Sequence, residues 1–202
     1  MEHTPWVGQG YEAGINGQRI CIVGHSHHHK IEESDSDDFT TDVVGRFLSG
    51  KLGRDSFFPP MAGYFGFSDK EMFWQSVVFF NLLPNCIGES DDDKYGTGTP
   101  EQIARGKERF LRIIRQTKPD LVFVFTTKGW CECPPTIEEA AGKGKAPLGA
   151  EFPGFSWGTY TAGEHTVMAF GLRHPERARS ELMRSGVRHI LEKWRTLRRA
   201  PV

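Results

Sequence analysis

Four histidines and one serine occur within five consecutive positions after a glycine, in the segment Gly24-His25-Ser26-His27-His28-His29. Imidazole groups titrate near neutral pH, and they can position water, transfer a proton or bind a metal ion. In open α/β sheets, ligands bind beyond the carboxyl ends of the strands. A histidine-rich loop that follows a buried strand therefore indicates a functional site. The alternative is an ordinary polar loop after a core strand.

Four apolar segments predict the strands that must position this loop: residues 19–23, 76–83, 120–126 and 166–170. Continuous apolar runs are typical of parallel strands buried on both faces. The helices are predicted at residues 42–49, 69–75, 100–116 and 176–199, and residues 51–68 are predicted as a long loop. This order predicts an α/β fold, with one domain over residues 1–202: a three-layer α/β/α sandwich around a mostly parallel four-stranded sheet.

Polar side chains also occur near the ends of the other predicted strands. Asn81 lies near the end of the second strand, Lys128-Gly129-Trp130 follows the third, and His174-Pro175 follows the fourth. From residue 173 to residue 199 the chain has nine Lys or Arg residues against three Glu. This basic stretch predicts either an edge that contacts phosphates or the solvated face of a terminal helix.

The order and spacing of these segments resemble the uracil-DNA glycosylase superfamily. In that superfamily the first strand ends in a short motif that begins with glycine, a middle strand ends with a base-reading asparagine, and a late strand ends in a His-Pro loop that enters the minor groove. The corresponding segments here are Gly24-His25-Ser26-His27-His28, Phe79-Phe80-Asn81-Leu82-Leu83-Pro84, Leu121-Val122-Phe123-Val124-Phe125 and Gly171-Leu172-Arg173-His174-Pro175. The resemblance covers about residues 18–192.

The resemblance implies a DNA glycosylase that flips out uracil or another deaminated base and hydrolyses its N-glycosidic bond. It implies that His174 donates a proton to the leaving base and that His25 or His27 positions or activates water. Ser26 stands where the superfamily has a water-activating carboxylate or amide. The implied base-binding residues are Gly24, Phe67 (with Phe65 as the alternative stacking ring) and Asn81, and the implied phosphate contacts are Arg173, Arg177 and Arg179.

The sequence also departs from the superfamily pattern. His27 replaces the proline of the first motif, and Glu176 follows His174-Pro175. The four-cysteine spacing of the iron–sulfur branch has no counterpart, so we expect no cluster, and the leading interpretation assigns no metal and no other cofactor.

Two other functions remain open. The first is a metal-dependent hydrolase that uses the histidines from His25 to His29, since His25 and His27 would project to one side of an extended segment. The second is a nucleobase or nucleic-acid binding protein of the same fold without catalysis. A serine esterase fits less well, because Ser26 lacks the second glycine of the Gly-x-Ser-x-Gly motif.

The composition does not distinguish these functions from one another, but it constrains the type of protein and its location. The 202 residues are 38% hydrophobic and 25% charged, which is typical of a globular chain, and the net charge of −1 argues against polyanion binding by bulk charge. The N-terminal residues lack the pattern of a secretory signal. The sequence contains no run of 18 apolar residues, so we expect no membrane span. Four cysteines without a disulfide pattern favour a reducing, cytoplasmic location. We expect a monomer whose partner is DNA.

Overall fold

The computed structural model describes residues 1–28, 35–53, 55–87, 96, 98–126, 156–162 and 165–199. This part of the chain has an α/β fold, a six-stranded sheet with helices packed on it. The strands are β1 (Trp6–Val7), β2 (Ile20–Gly24), β3 (Val77–Asn81), β4 (Leu121–Val124), β5 (Ser156–Ala162) and β6 (His165–Gly171). The helices are α1 (Phe39–Leu48), α2 (Phe58–Tyr64), α3 (Lys70–Gln75), α4 (Pro100–Thr117) and α5 (Ser180–Arg199), with a 3₁₀ turn at Pro175–Arg177.

The sheet is mixed and has the strand order β1-β3-β2-β4-β6-β5. The four central strands correspond to the four predicted segments and pair in parallel, whereas β1 and β5 add to the two edges in antiparallel orientation. The prediction of a mostly parallel sheet with four strands is therefore wrong. The two-residue β1 is too short to produce a periodic pattern, and β5 has the largely polar sequence SWGTYTA, which the sequence analysis did not separate from a loop.

Alternate residues of the central strands pack into two separate apolar clusters, one on each face of the sheet. On one face, residues such as Ile22 and Phe79 pack with side chains of α1, α2, α3 and α5. On the other face, residues such as Val23 and Phe80 pack with α4 and with Tyr160 of β5. Burial on both faces explains why these strands are continuously apolar.

The helix α4 confirms the predicted start at residue 100. The Thr99 hydroxyl accepts a hydrogen bond from the Gln102 backbone N–H at 3.1 Å, and the Gln102 side chain accepts one from the Thr99 N–H at 2.9 Å. This reciprocal pair satisfies backbone donors that the helix itself leaves unpaired. The helix ends at Lys118, whose left-handed backbone (φ 48°) stops the helical path.

Other helices differ from their predicted positions. The α1 helix begins at Phe39 instead of residue 42, and α2 occupies part of the segment that was predicted as a loop. Proline in the first turn of α2 is compatible with a helix, because the first N–H groups of a helix have no internal partner. The predicted helix over residues 176–199 is divided at Ala178 into the 3₁₀ turn and α5. The helix α5 continues through Gly186 without a break. No helix of the described residues is long and apolar enough to cross a membrane.

Candidate functional site

Gly24 and Asn81 face each other at the carboxyl ends of β2 and β3. They are register partners in the parallel ladder, and both residues are buried. A Cβ atom at position 24 would lie 2.1 Å from Asn81 Oδ1, so the asparagine amide occupies the space that a side chain would need. Glycine is therefore required here for close packing, and the pairing fixes where the Asn81 amide sits. The ends of these two predicted strands therefore meet at one edge of the sheet.

A buried arginine on α4 holds the backbone at Asn81. The Arg109 guanidinium is 0% exposed and donates hydrogen bonds to the backbone carbonyls of Asn81 and His3. Its Nε lies 3.3 Å from a carboxylate oxygen of Glu2, and its guanidinium lies over the ring of Phe80. Burial lowers the pKa of Arg109 to about 10. Because this value is still well above neutral pH, the guanidinium remains charged. Nothing in the sequence marks Arg109 as buried, because arginine on an amphipathic helix usually lies on the solvated face.

The ring of Phe57 lies against the position of Gly24. Its ring atom Cζ is 3.6 Å from the position of a Cβ on Gly24, and its ring centroid is 5.5 Å from that of Phe79. Asp55 fixes the local backbone, because its Oδ1 accepts hydrogen bonds from the N–H groups of Phe57 (2.7 Å) and Phe58 (2.8 Å). In the sequence, Phe57 is marked only by its position just before the first turn of α2, which contains two consecutive prolines.

His174 comes to the same edge from the loop after β6. Its ring centroid lies 5.7 Å from that of Phe57, and the residue is half-buried. Its Nδ1 accepts a hydrogen bond from the Glu176 N–H at 3.3 Å, where His174 caps the 3₁₀ turn. Phe57 thus connects His174 with Gly24, although these two residues are 150 positions apart in the sequence.

The histidine-rich loop has an outer part, His25 and Ser26, and an inner part, His27. His25 and Ser26 are half-buried next to the end of β2. His27 is 8% exposed, its Nε2 lies 2.9 Å from Thr40 Oγ1, and its ring packs on those of His3, Phe39 and Phe79. Burial, with smaller contributions from the charges of His3 and Arg109, lowers the pKa of His27 to about 3. It is therefore a neutral side chain of the core at physiological pH.

Phe67 and Phe65 lie elsewhere in the aromatic cluster. The Phe67 ring contacts that of Phe73 at 5.7 Å, and Phe65 packs on Phe73 and Phe123 at 5.1 Å each. Phe73 belongs to α3, which leads into the amino end of β3. The structure thus groups Phe67 with α3, and it groups Phe57 with Gly24 and His174.

The predicted phosphate contacts follow β6 near His174. Arg173 and Arg179 are exposed, and Arg177 lies in the 3₁₀ turn, where its side chain is outside the described part. His29 and the segment Lys128-Gly129-Trp130 also lie outside the described residues.

Two cavities are found elsewhere in the described part of the chain. One of about 520 Å³ lies along α1 and is lined by residues such as Phe39 and Arg46. Another of about 110 Å³ lies between α2 and α5 and is lined in part by Arg184 and Arg188. Neither is lined by Gly24, Asn81 or His174, so the candidate site is defined by the convergence of side chains at the sheet edge. That edge presents an amide, an aromatic ring, an imidazole and, close by, basic groups.

Comparisons with known proteins add no family. No family model matches the chain, and no curated protein matches it. Among solved structures, it is similar to a domain of unknown function (DUF1537) from Bordetella bronchiseptica with bound citrate, at 12% identity and a TM-score of 0.38. The match covers 84% of this chain and 40% of the other, and a likeness at that level carries no argument about family or function.

Proposed function

We propose that this protein binds an extrahelical nucleobase at the carboxyl edge of its sheet and cleaves the N-glycosidic bond of uracil or another deaminated base in DNA. The observation that carries the proposal is the packing of the Asn81 amide over Gly24, with the ring of Phe57 adjacent and His174 beyond it. Gly24, Asn81 and His174 are three of the residues through which the sequence resembles the uracil-DNA glycosylase superfamily. The fold proposed with it is the three-layer α/β/α sandwich of that superfamily.

The asparagine amide suits recognition of a base edge, since it offers both a donor and an acceptor. Its position is fixed by Gly24 below it and by Arg109 on its backbone carbonyl. A rigid amide can discriminate between bases, because a base with the wrong pattern leaves a buried polar group unpaired. In this proposal Phe57 replaces Phe67 as the ring next to the base.

The cleavage step needs a water molecule to attack the sugar and a proton donor for the departing base. The water oxygen bonds to C1′ while the bond from C1′ to the base nitrogen breaks, and the electron pair leaves with the base; the proton that the attacking water loses ends, by way of solvent, on the departing base. His174 is assigned to stabilise this developing negative charge. His25 and Ser26 are assigned to position the water. The neutral, buried His27 supports the loop from inside.

DNA binding is assigned to the basic side chains that follow β6. Arg173 precedes His174 directly, Arg179 follows the 3₁₀ turn, and both are exposed, so they are assigned to the phosphates that flank a flipped nucleotide. Arg177 is included in this proposal from its position in the sequence. A monomer in the cytoplasm is proposed as well, consistent with Cys21 and Cys86, which form no disulfide among the described residues.

The test is a base-release assay on oligonucleotides that carry uracil, hypoxanthine or xanthine, single- and double-stranded, with and without EDTA. We expect release that is unaffected by EDTA and that is lost in Asn81→Ala and in His174→Ala. His189→Ala is the matched control, because His189 is exposed on α5 and distant in sequence from the loop. Circular dichroism and thermal unfolding of each variant separate lost chemistry from lost folding. Absence of free base from every substrate would overturn cleavage.

A binding protein without catalysis is the second candidate, and one observation favours it. His27, one of the two histidines for which the resemblance implied water activation, is buried, hydrogen-bonded to Thr40 and neutral. Fluorescence anisotropy with the same oligonucleotides separates the two functions. Binding that requires Asn81 without any base release identifies the binder.

A further inference from the structure

Three potential metal ligands come together outside the candidate nucleobase site. His3 lies in the N-terminal segment, Asp35 in the loop between β2 and α1, and Cys86 in the loop after β3. His3 Nε2 is 2.5 Å from Asp35 Oδ1, and the Cys86 N–H donates a hydrogen bond to Asp35 Oδ2 at 3.1 Å. The nitrogen, oxygen and sulfur ligand atoms all lie within 4.8 Å of one another.

The cluster is largely shielded from water. His3 is 1% exposed and Cys86 is 6% exposed, whereas the Asp35 side chain is 17% exposed and leaves one side open. Burying a carboxylate and an imidazole costs free energy unless their charges and hydrogen-bonding groups are compensated. The Nδ1 atom of His3 is buried and has no hydrogen-bond partner among the described residues. A cation on the Nε2 side of the ring, between His3 and Asp35, would compensate the carboxylate directly.

The ligand types select the metal. Thiolate and imidazole favour zinc over calcium and magnesium, which prefer oxygen ligands. Zinc bonds are about 2.3 Å to sulfur and about 2.0–2.2 Å to nitrogen and oxygen, so one ion can bridge atoms at these separations after small side-chain movements. Water on the open side of Asp35 can supply the fourth ligand of a tetrahedral site.

The backbones of two ligands are already fixed by side chains of α4. Arg109 donates to the His3 carbonyl, and Gln102 Nε2 donates to the Cys86 carbonyl at 3.1 Å. The His3 ring is packed between those of Phe39 and His27, with centroid distances of 5.4 and 5.5 Å. Such surrounding contacts orient ligands and increase metal affinity.

We propose that His3, Asp35 and Cys86 bind one zinc ion, through the imidazole Nε2, a carboxylate oxygen and the thiolate. On binding, the Cys86 thiol releases its proton to solvent. The ion links the N-terminal segment to two loops. One is the loop after β2, which carries His25, and the other is the loop after β3, which follows Asn81. Its role is structural, and the proposal does not depend on the proposed glycosylase function.

The test uses the full chain loaded with zinc and, separately, with cobalt. We expect one tightly held zinc ion per chain by elemental analysis, and a thiolate-to-cobalt charge-transfer absorption in the cobalt form. Both should be lost in Cys86→Ser and in His3→Gln. The metal should also raise the Tm of the unmodified protein, because it binds the native state in preference to the unfolded chain.

Matched controls remove the other potential ligands. The double variant Cys131→Ser with Cys133→Ser, the variant His189→Gln and the variant Asp42→Asn should all keep the zinc and the cobalt absorption. If Cys86→Ser or His3→Gln fails to fold, Asp35→Asn supplies the third ligand test, with loss of zinc expected. Less than stoichiometric zinc in the unmodified protein would overturn the site. Zinc that survives His3→Gln but is lost in His25→Gln with His28→Gln would overturn it in favour of the histidine-rich loop.

Discussion

The two halves of the carboxyl edge hold their polar side chains in different ways. At the ends of β2 and β3, Gly24 and Asn81 are buried and are fixed by close packing and by the buried charge of Arg109. After β6, His174 is half-buried and Arg173 is exposed, and the His174 ring accepts a hydrogen bond from the Glu176 N–H of an exposed turn.

This difference separates two tasks that one site can combine. A rigid amide can read a small planar ligand, since its geometry is set before the ligand arrives. Exposed cationic groups can follow the phosphates of a large ligand and contribute affinity that depends on salt. Changes on the β2–β3 half should therefore affect stability and recognition, whereas changes on the β6 half should affect DNA affinity with little effect on folding.

The largest effect on stability is expected for Arg109→Met. This change removes the hydrogen bonds and the charge that fix the ends of β2 and β3, the rigid half of the edge. The carbonyls of Asn81 and His3 would lose their donors and remain buried, which should lower the free energy of unfolding by about 3–5 kcal/mol. Urea-induced unfolding measures this loss. The matched control is Arg112→Met, because Arg112 also pairs with Glu2 but is exposed. The control should change stability by only about 0–1 kcal/mol. Equal losses in the two variants would contradict the role of Arg109.

A smaller loss of stability, together with a loss of recognition, is expected for Gly24→Ala. The new Cβ would lie 2.1 Å from Asn81 Oδ1 and displace the amide. A displacement of about 1 Å in a site can cost roughly 100-fold in rate, so base release should fall by about that factor. The control is Gly45→Ala on α1, where a Cβ meets nothing within 4 Å and should stabilise the helix by about 1 kcal/mol. Unchanged release in Gly24→Ala would show that the Asn81 amide is not positioned by this packing.

Acid should destabilise the rigid half through His27. Its pKa is lowered from 6.5 to about 3 in the folded protein, so the unfolded chain binds more protons between these values. Stability is full above the unfolded pKa and is lost as the pH falls toward about 3. Between about pH 7 and about pH 5, His27 should account for a loss of about 2 kcal/mol.

The measurement for His27 is urea unfolding at both pH values, in the unmodified protein and in His27→Gln. The slope of stability against pH should be smaller in the variant, because its buried amide does not titrate. Thr40→Val serves as the companion variant. It removes the hydrogen bond to Nε2 and should cost about 1 kcal/mol at neutral pH while keeping the acid dependence. An identical slope in His27→Gln would rule out His27 as its source.

The smallest effect on folding is expected on the β6 half. Arg173→Gln with Arg179→Gln should leave the free energy of unfolding within about 0.5 kcal/mol, since both side chains are exposed. DNA affinity should fall, and the slope of log affinity against log salt should decrease by roughly one for each arginine removed. A double replacement of the exposed Arg115 and Lys51 by Gln is the charge-matched control. An equal decrease in slope for both pairs would indicate nonspecific attraction.

Local patterns predicted the parts of the fold that have a clear signature in the sequence. The four central strands were recognised from continuous apolar runs, and α4 was recognised from the cap formed by Thr99 and Gln102. The edge strands were missed because β1 has two residues and β5 is largely polar. Their strand conformation depends on hydrogen bonds to neighbours that only the assembled sheet provides.

The candidate site was predicted in part for the same reason. Gly24 and Asn81 stand at the ends of recognisable strands, so their meeting followed from parallel pairing. Phe57 and Arg109 could not be recognised, because their positions depend on how α2 and α4 pack on the sheet. The inward turn of His27 depends on Thr40, which lies 13 residues further along the chain in α1.

The sequence by itself determined the α/β class, the four central strands and the presence of polar groups at their carboxyl ends, because apolar periodicity and capping act between near neighbours. Tertiary structure decided which of those polar groups are buried and which meet. It separated the neutral His27 from its half-buried neighbour His25, brought Phe57 beside Gly24, and joined His3, Asp35 and Cys86 from three distant segments. Burial and long-range contact are properties of the packed molecule, and no local pattern specifies them.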